Sequence, residues 1–229
     1  SPVSKGKKHL IRKFYFHPMI KLLAKYPKEF QEMNSDISPL QIVEFYPDFI
    51  IGNAASSLQF QLLPFHNKTF LKNLIEKNFS NTAIFHTTFS IGYGKIYKIP
   101  FIKDDISFYF LSKTEKLKIQ NGFKAMLSFI ESTNANYIIP LTKSVKKPIY
   151  FKDSTPKQDI FSIKHSLSSV HIMGGVTSGE KKDCVVNSYG QFNGQKNLFV
   201  NDSSLINSKL LKNPQGTVLT IALRNIDHF

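Results

Sequence analysis

The sequence predicts an α+β fold, with a mainly antiparallel sheet from the middle of the chain backed by helices. Three observations predict this fold. Short apolar runs separated by Gly or Asp lie between Thr82 and Leu111, an amphipathic stretch follows over residues 114–132, and a last amphipathic run begins at Pro214. Short apolar runs bounded by turn residues are typical of strands, whereas apolar residues three and four positions apart are typical of helices.

Taken in order, the first segment, from Lys21 to about Gln59, has apolar residues at helical spacing interrupted by prolines, so we expect helices there. From Thr82 the pattern changes to strands, predicted over Ala83–Phe89, Gly94–Ile99 and Ile106–Leu111. The amphipathic stretch predicts a helix over Thr114–Ser132 with Thr114 as its cap. A strand over Asn134–Leu141 and a loop over Lys143–Ser162 follow.

The last 65 or so residues carry the polar motifs. His171 precedes the pair Gly174-Gly175, and strands over Cys184–Asn187 and Leu198–Val200 are joined through an Asn193-Gly194 turn. Asp202, Ser203 and Ser204 end the second strand. Asn213 as cap and Pro214 at the first position predict a helix from Pro214 to about Asp227. The free N–H groups of that helix would point at whatever lies before Asn213.

Composition indicates a globular chain with one large domain or two small ones. Of its 229 residues, 41% are hydrophobic and 20% are charged, which supplies a core and excludes a disordered chain. No apolar run approaches the roughly 20 residues that span a bilayer, so we expect no transmembrane segment. Cys184 is the only cysteine, which excludes an internal disulfide. We therefore predict a reducing compartment, the cytoplasm.

The net charge of +14 raises the question of a nucleic-acid partner, because Lys and Arg neutralise phosphates. Only Arg12 and Arg224 are arginines, although arginine is the side chain favoured for bidentate recognition of bases and phosphates. The lysines are also scattered along the chain. We therefore predict a solvated basic surface and no nucleic-acid partner. A basic protein that binds nucleic acid or an acidic surface without catalysis remains the alternative.

Three motifs in order identify a family resemblance. They are His171-x-x-Gly174-Gly175, then Gly190-x-x-x-Gly194-x-x-Asn197-Leu198-Phe199-Val200-x-Asp202-x-Ser204, then Asn213-Pro214-x-x-Thr217. Together they resemble the carboxyl-terminal signature of the glucose–methanol–choline (GMC) oxidoreductases, which are FAD enzymes that oxidise alcohols. The likeness is greatest to the cholesterol-oxidase and related alcohol-dehydrogenase branches. Upstream, His17-Pro18, Gly94-Lys95-Ile96 and Asn134–Pro140 resemble the substrate-binding segment of that family.

The resemblance implies a role for each matching residue. His171 would face the flavin and the substrate hydroxyl as general base, and Asn213 would be the second polar partner of the alcohol oxygen. The implied FAD contacts are Gly174, Gly175, Asp202, Ser203, Pro214, Gln215 and Thr217. Asp202 would lie beside the phosphates and ribityl chain, and the helix at Pro214 would lie against the flavin pyrimidine. No metal is implied. Asn213 could instead serve only as a helix cap, and Asp202 could only close a turn.

A neutral imidazole suits the implied chemistry because it titrates near the working pH and can take an alcohol proton. Glycines without side chains would let a planar ring approach the backbone. Ser178-Gly179 departs from the family's usual Met-Gly, and Ser203 stands where the family has a smaller residue. The other six histidines, at positions 9, 17, 66, 86, 165 and 228, are expected to be structural, with His17 a weaker candidate for the pocket.

The strand–GxGxxG–helix fingerprint that holds a dinucleotide pyrophosphate does not occur in these residues. The family carries it near its amino terminus. We therefore expect residues 1–165 to form a substrate-binding region and residues 166–229 the last segment of a Rossmann-like FAD domain, whose amino-terminal part is missing here. The predicted activity is oxidation of a small-molecule alcohol by hydride transfer to FAD. Alone, the chain should be inactive and bind FAD poorly. A degenerate family member retained as a structural subunit is a further alternative.

Overall fold

The structure is a computed structural model that describes residues 13–29, 40–55, 57–97, 101, 103, 106–151 and 166–228. The described residues divide into two compact units, each assembled from separate stretches of chain. The first unit draws on the described residues within 1–17, 90–115 and 169–229, and the second on those within 18–89 and 116–168. The division into substrate and FAD regions at residue 165 concerns function and stays a prediction.

The described residues form strands and helices in mixed order. The strands are β1 (Phe14–Phe16), β2 (Met19–Lys25), β3 (Gln41–Ile42), β4 (Phe49–Ala54), β5 (Thr82–Phe89), β6 (Tyr93–Tyr97), β7 (Ile106–Phe110), β8 (Tyr137–Pro140), β9 (Ile149–Tyr150) and β10 (Ile172–Gly174). The α-helices are α1 (Leu58–Leu62), α2 (Thr69–Lys77), α3 (Lys113–Ser132) and α4 (Gln215–Ile226). Single 3₁₀ turns cover Leu63–Phe65, Phe79–Asn81 and Ser203–Leu205.

The first unit contains a four-stranded antiparallel sheet in the order β10-β1-β6-β7. Phe14 of β1 lies opposite Gly94 of β6. A Cβ atom at Gly94 would lie 1.9 Å from Cζ of Phe14, so the missing side chain makes room for this ring. On β7, Phe108 and Phe110 are 48% and 39% exposed, so one edge of this sheet presents aromatic side chains to solvent.

The second unit contains a six-stranded antiparallel sheet in the order β3-β4-β5-β2-β8-β9. Strand β2 pairs with β5 along its whole length and with β8 over Leu22–Lys25. A core cluster on this sheet joins side chains of β2 and β8 to those of the helical segment; its members are Leu23, Phe65, Leu71, Ile75, Tyr137, Ile139 and Val145. The α+β prediction with mainly antiparallel sheets is therefore confirmed.

The helical prediction for residues 21–59 is wrong. Residues 19–25, 41–42 and 49–54 are strands, and a helix begins only at Leu58. Leu22, Leu23 and Ala24 are all fully buried, because both faces of this central strand are covered. A continuous apolar run of this kind fits a buried strand as well as a helix. Here the segment is a strand because its backbone pairs with β5 on one side and β8 on the other. Phe30 lies outside the described residues.

The strand predictions after Thr82 are confirmed for β5, β6 and β7 within about two residues at each end. Ile99 lies outside the described residues. The strand predicted over Asn134–Leu141 is confirmed in its centre as β8. In the loop predicted over Lys143–Ser162, Ile149 and Tyr150 form β9, and residues 152–162 lie outside the described part.

The predicted amphipathic helix is confirmed as α3, but its predicted cap is wrong. Ser112, not Thr114, caps it: the backbone N–H of Glu115 donates to the Ser112 hydroxyl (3.2 Å). In return, the Ser112 N–H donates to the Glu115 carboxylate (2.9 Å). This reciprocal pair is a capping box, and the Ser-x-x-Glu spacing was visible in the sequence.

Near the carboxyl end, the two predicted strands at 184–187 and 198–200 are reduced to isolated bridges, Val186 with Phe192 and Gln191 with Phe199. The predicted turn at Asn193-Gly194 is present, with φ of +88° at Gly194. Helix α4 begins at Gln215, one residue after the predicted start, and ends at Ile226. Its cap residue is Pro214, so the prediction of Asn213 as cap is wrong. Among the helices of the described chain, none is long and apolar enough to cross a membrane.

Candidate active site

The site is built around two histidines on neighbouring strands of the first unit. Strands β1 and β10 pair antiparallel, with Phe14 opposite Gly174 and Phe16 opposite Ile172. Continuing this register by one residue places His17 opposite His171. Directly opposed residues on antiparallel strands hold their side chains on the same face. The register therefore brings together two imidazoles that are 154 positions apart in the chain.

The two rings are in hydrogen-bond contact. Nδ1 of His17 lies 3.0 Å from Nδ1 of His171, and the ring centroids are 5.2 Å apart. On its other side, Nε2 of His17 donates to the backbone carbonyl oxygen of Leu211 (2.7 Å). The contacts thus form a chain from Leu211 through His17 to His171.

The hydroxyl of Ser169 holds the backbones of both histidines. It accepts a hydrogen bond from the His17 N–H (3.0 Å) and donates to the His171 carbonyl oxygen (2.8 Å). Pro18 follows directly and favours an extended backbone at His17. Backbone and side-chain contacts therefore both fix the relative position of the two imidazoles.

Burial keeps both imidazoles uncharged near neutral pH. His17 is 1% exposed. Burial lowers its pKa, and the charge of a protonated His171 lowers it further, against a raising effect of the Leu211 hydrogen bond. His171 is half-buried, and burial lowers its pKa as well. In the described part of the chain no protein atom hydrogen-bonds Nε2 of His171, so this nitrogen can accept a proton from a bound molecule.

Asn213 lies two residues beyond the carbonyl group that His17 contacts. Its side chain is exposed and makes no hydrogen bond to the described residues. Among the hydrogen bonds of the described residues, none joins Asn213 to His171; the chain of contacts from His171 through His17 ends at Leu211. That the two side chains bind one alcohol oxygen stays a prediction.

The backbone conformation and the packing of the protein explain the glycine pair after His171 without any ligand. Gly174 and Gly175 have φ of +77° and +109°, values that side-chain-bearing residues rarely adopt. A Cβ at Gly174 would lie 3.1 Å from the Tyr15 ring and 3.2 Å from the Lys13 carbonyl oxygen. The backbone of β10 thus needs Gly174 with or without a ligand, and contact of either glycine with FAD stays a prediction.

Asp202 and Ser203 form a turn beside β10. The Asp202 carboxylate accepts from the Ser204 N–H (2.7 Å), which caps the 3₁₀ turn at Ser203–Leu205. The Ser203 hydroxyl donates to the carbonyl oxygen of Ile172 (2.7 Å), the residue after His171. Asp202 itself is exposed, so the turn leaves carboxylate surface open to solvent.

The start of helix α4 is open. Pro214 is buried and its carbonyl oxygen accepts the first helical bond, from the Val218 N–H (2.9 Å). No side chain of the described residues caps this end, and the first turn of the helix holds no acidic residue. Gln215 and Thr217 are exposed. Free N–H groups at such an end can bind an anion or a polarised carbonyl.

A family model described as GMC oxidoreductase matches residues 104–222, just over half of the chain. The chain belongs to the GMC oxidoreductases. It is 40% identical over 60 residues to an uncharacterized GMC-type oxidoreductase, y4nJ, of Sinorhizobium fredii (strain NBRC 101917 / NGR234). That match covers 26% of this chain and 12% of the relative.

A solved structure of the same overall fold is pyridoxine 4-oxidase from Mesorbium loti. It matches with a TM-score of 0.52 and 12% identity. The match covers 96% of this chain and 43% of that structure. This GMC oxidoreductase chain thus spans less than half the length of the proteins it resembles.

Sequence reasoning missed His17, which was expected to be structural. Its contact with His171 has no local signal, because the two residues are 154 positions apart. Two hints were available: the pair His17-Pro18 resembles the family's substrate-binding segment, and His17 follows three consecutive aromatic residues, Phe14-Tyr15-Phe16. Only the pairing of β1 with β10 reveals its contact with the predicted base of this GMC oxidoreductase.

Proposed function

We propose that this chain is the carboxyl-terminal part of an FAD-dependent enzyme that oxidises a small-molecule alcohol to a carbonyl compound. The observation that supports this most directly is the half-buried imidazole of His171, whose Nε2 is unpartnered among the described residues. Family membership supports an oxidoreductase. The location predicted from the single cysteine remains the cytoplasm.

The proposed reaction removes a proton and a hydride from the alcohol. His171 accepts the O–H proton at Nε2 and becomes imidazolium, while the two electrons of the C–H bond leave with the hydride and a C=O double bond forms. Bound FAD would supply the acceptor for that hydride. Well-placed general bases of this kind contribute about 10²–10⁴-fold to rate. A pKa lowered by burial keeps the base neutral and ready at neutral pH.

Asn213 is the proposed second partner of the substrate. Its exposed amide could donate an N–H to the alcohol oxygen as negative charge develops there. Leu211, two residues earlier, is buried, and its carbonyl oxygen is held by His17. The loop that carries Asn213 is therefore anchored at the histidine pair.

The residues proposed to hold FAD fit a flavin in their donor chemistry. The uncapped N–H groups at Gln215 and Thr217 can face the pyrimidine edge, where negative charge accumulates on reduction. Gly174 and Gly175 present backbone without side chains. Asp202 and Ser203 form the exposed turn predicted to lie beside the ribityl chain and phosphates. The nucleotide-binding portion itself would come from sequence outside these 229 residues.

The test is His171→Ala in the full protein that contains this chain. Anaerobic bleaching of the flavin against a panel of alcohols identifies a substrate, and steady-state rates follow. We expect kcat to fall by about 10²–10⁴-fold if His171 is the base. His66→Ala, a change at an exposed histidine of the second unit, serves as control and should leave kcat unchanged. A loss below tenfold for His171→Ala would make His171 structural.

A further inference from the structure

The contact between His17 and Leu211 determines where the proton of His17 lies. A backbone carbonyl oxygen has lone pairs and no hydrogen, so it can only accept. Nε2 of His17, 2.7 Å from that oxygen, must therefore carry the proton. Because burial keeps the ring neutral, Nδ1 of His17 then holds a lone pair.

The contact between the two rings then determines the tautomer of His171. Nδ1 of His17 is an acceptor, and Nδ1 of His171 lies 3.0 Å from it. A hydrogen bond at this distance needs a donor, so His171 carries its proton on Nδ1. In the opposite tautomer two lone pairs would face each other, and the buried acceptor of His17 would be unsatisfied. Neutral His171 thus exposes a lone pair at Nε2.

We infer that His17 is a positioning residue that fixes His171 in the Nδ1–H tautomer and so keeps Nε2 free to accept a proton. The use of that proton site for an alcohol rests on the proposed function; the tautomer itself does not. Orientation of a histidine through its second nitrogen is a general device for setting which nitrogen reacts. Here the orienting group is another imidazole, held by a backbone carbonyl.

Several contacts make this arrangement stiff. The β1–β10 register opposes the two residues, Ser169 links their backbones, and Leu211 is buried. When His171 accepts a proton, its Nδ1–H···Nδ1 bond to His17 becomes charge-assisted. A second proton on Nδ1 of His17 would set two N–H groups against each other at 3.0 Å. The pair therefore takes up one proton, at Nε2 of His171.

The first experiment reads the tautomer directly. Full-length protein labelled with ¹⁵N-histidine is studied by long-range ¹H–¹⁵N correlation, and the His171 signals are those lost in His171→Ala. We expect neutral His171 to be protonated at Nδ1. In His17→Phe, which keeps an apolar ring of similar size, the proton should move to Nε2, the tautomer that free histidine prefers. A wild-type proton on Nε2, or an unchanged tautomer in His17→Phe, would overturn the inference.

The second experiment uses two near-isosteric changes at His17. The Asn amide oxygen can replace Nδ1 as acceptor for His171, whereas the Gln amide nitrogen can replace Nε2 as donor to Leu211. We expect His17→Asn to retain kcat within about tenfold, and His17→Gln to lose about 10–10³-fold with little change in KM. Equal losses in both variants would show a structural role and overturn the inference.

The two proposals fail in different ways. A tautomer that depends on His17, together with normal alcohol oxidation in His171→Ala, supports the positioning inference and overturns the proposed base. The opposite result is also possible: His171→Ala is inactive, but the tautomer of His171 is the same in wild type and in His17→Phe. That result overturns the positioning inference and supports His171 as the base. If His17→Phe does not fold, the wild-type tautomer and the Asn–Gln comparison still decide.

Discussion

At the scale of single residues, the polar groups of the first unit are engaged in short chains of contacts. Glu115 shows this most clearly. Its carboxylate accepts from the N–H groups of Gly92 (2.8 Å) and Ser112 (2.9 Å) and pairs with Nζ of Lys209 (2.6 Å). Burial raises the pKa of Glu115, but the hydrogen bonds from Lys209, Ser112 and Gly92 outweigh it and lower the pKa to about 2.

Replacing Glu115 by Gln tests this cluster. Because the folded pKa lies below the ordinary value of 4.5, the stabilisation is fully present above that value and is lost as pH falls towards 2. We expect Glu115→Gln to lower the free energy of unfolding by about 1–2 kcal/mol at neutral pH. In urea unfolding curves, the difference in unfolding free energy between Glu115→Gln and wild type should narrow from about pH 5 down to about pH 2.

Glu76→Gln, at an exposed position on α2, is the matched control and should change stability by less than about 0.5 kcal/mol. A Glu115→Gln difference that stays constant with pH would mean that the carboxylate charge contributes nothing.

At the scale of elements, helix α3 packs its middle against strand β5 through a glycine. A Cβ at Gly122 would lie 2.6 Å from Cε1 of Phe89 and 2.8 Å from Cγ2 of Thr87. Phe89 is fully buried and Thr87 donates to the Gly122 carbonyl oxygen (3.3 Å). Glycine has a low helix propensity, but at this position no larger residue would let α3 approach β5 so closely.

Two glycine-to-alanine changes in helices separate propensity from packing. Both gain helix propensity, which is worth up to about 1 kcal/mol. Gly122→Ala should nevertheless lower the free energy of unfolding by about 1–3 kcal/mol, because the fully buried Phe89 ring has no room to move away from the added methyl group. Gly216→Ala in α4, where no atom lies within 4 Å of the added Cβ, should be neutral or stabilising by about 0.5 kcal/mol. Urea unfolding measures both; a stabilising Gly122→Ala would contradict the packing.

At the scale of the whole molecule, the chain has the fold and family of a GMC oxidoreductase but spans only 43% of the matched oxidase structure. It also lacks a GxGxxG stretch. The proposed flavin-holding residues are therefore only part of what a dinucleotide needs, since its pyrophosphate is normally held by a glycine turn and the helix that follows.

Titration with FAD tests whether the residues of this chain are enough to hold the cofactor. We expect the 229-residue chain alone to bind FAD substoichiometrically, and the full protein to bind one FAD. His171→Ala in the full protein should bind FAD as wild type does, because the proton acceptor is not needed to hold the cofactor. Stoichiometric FAD binding by the isolated chain would refute the proposed dependence on further sequence.

The net charge of +14 provides a second test at this scale. If the lysines are only solvated surface residues, titration with duplex DNA or RNA should show weak binding and no sequence preference. Binding at physiological salt that is much tighter than the roughly 10⁻⁴–10⁻⁶ M of non-specific contacts would favour the alternative of a nucleic-acid-binding protein.

The sequence by itself determined the family, through three ordered motifs, and most elements after Thr82, because alternating apolar runs and turn residues are local signals. It misjudged residues 21–59, where consecutive buried residues such as Leu22 and Leu23 suit a central strand as well as a helix. There the hydrogen-bonding partners, β5 and β8, lie far along the chain.

Only the tertiary structure decided what stands beside His171. From the sequence His17 was only a weaker candidate for the pocket. It reaches His171 because β1 and β10, more than 150 positions apart in the chain, pair with these residues opposite each other. Likewise the motif singled out Gly174, but its packing against Tyr15 came from the fold. Local patterns specify which residues are available for chemistry, whereas the long-range strand register specifies which of them meet.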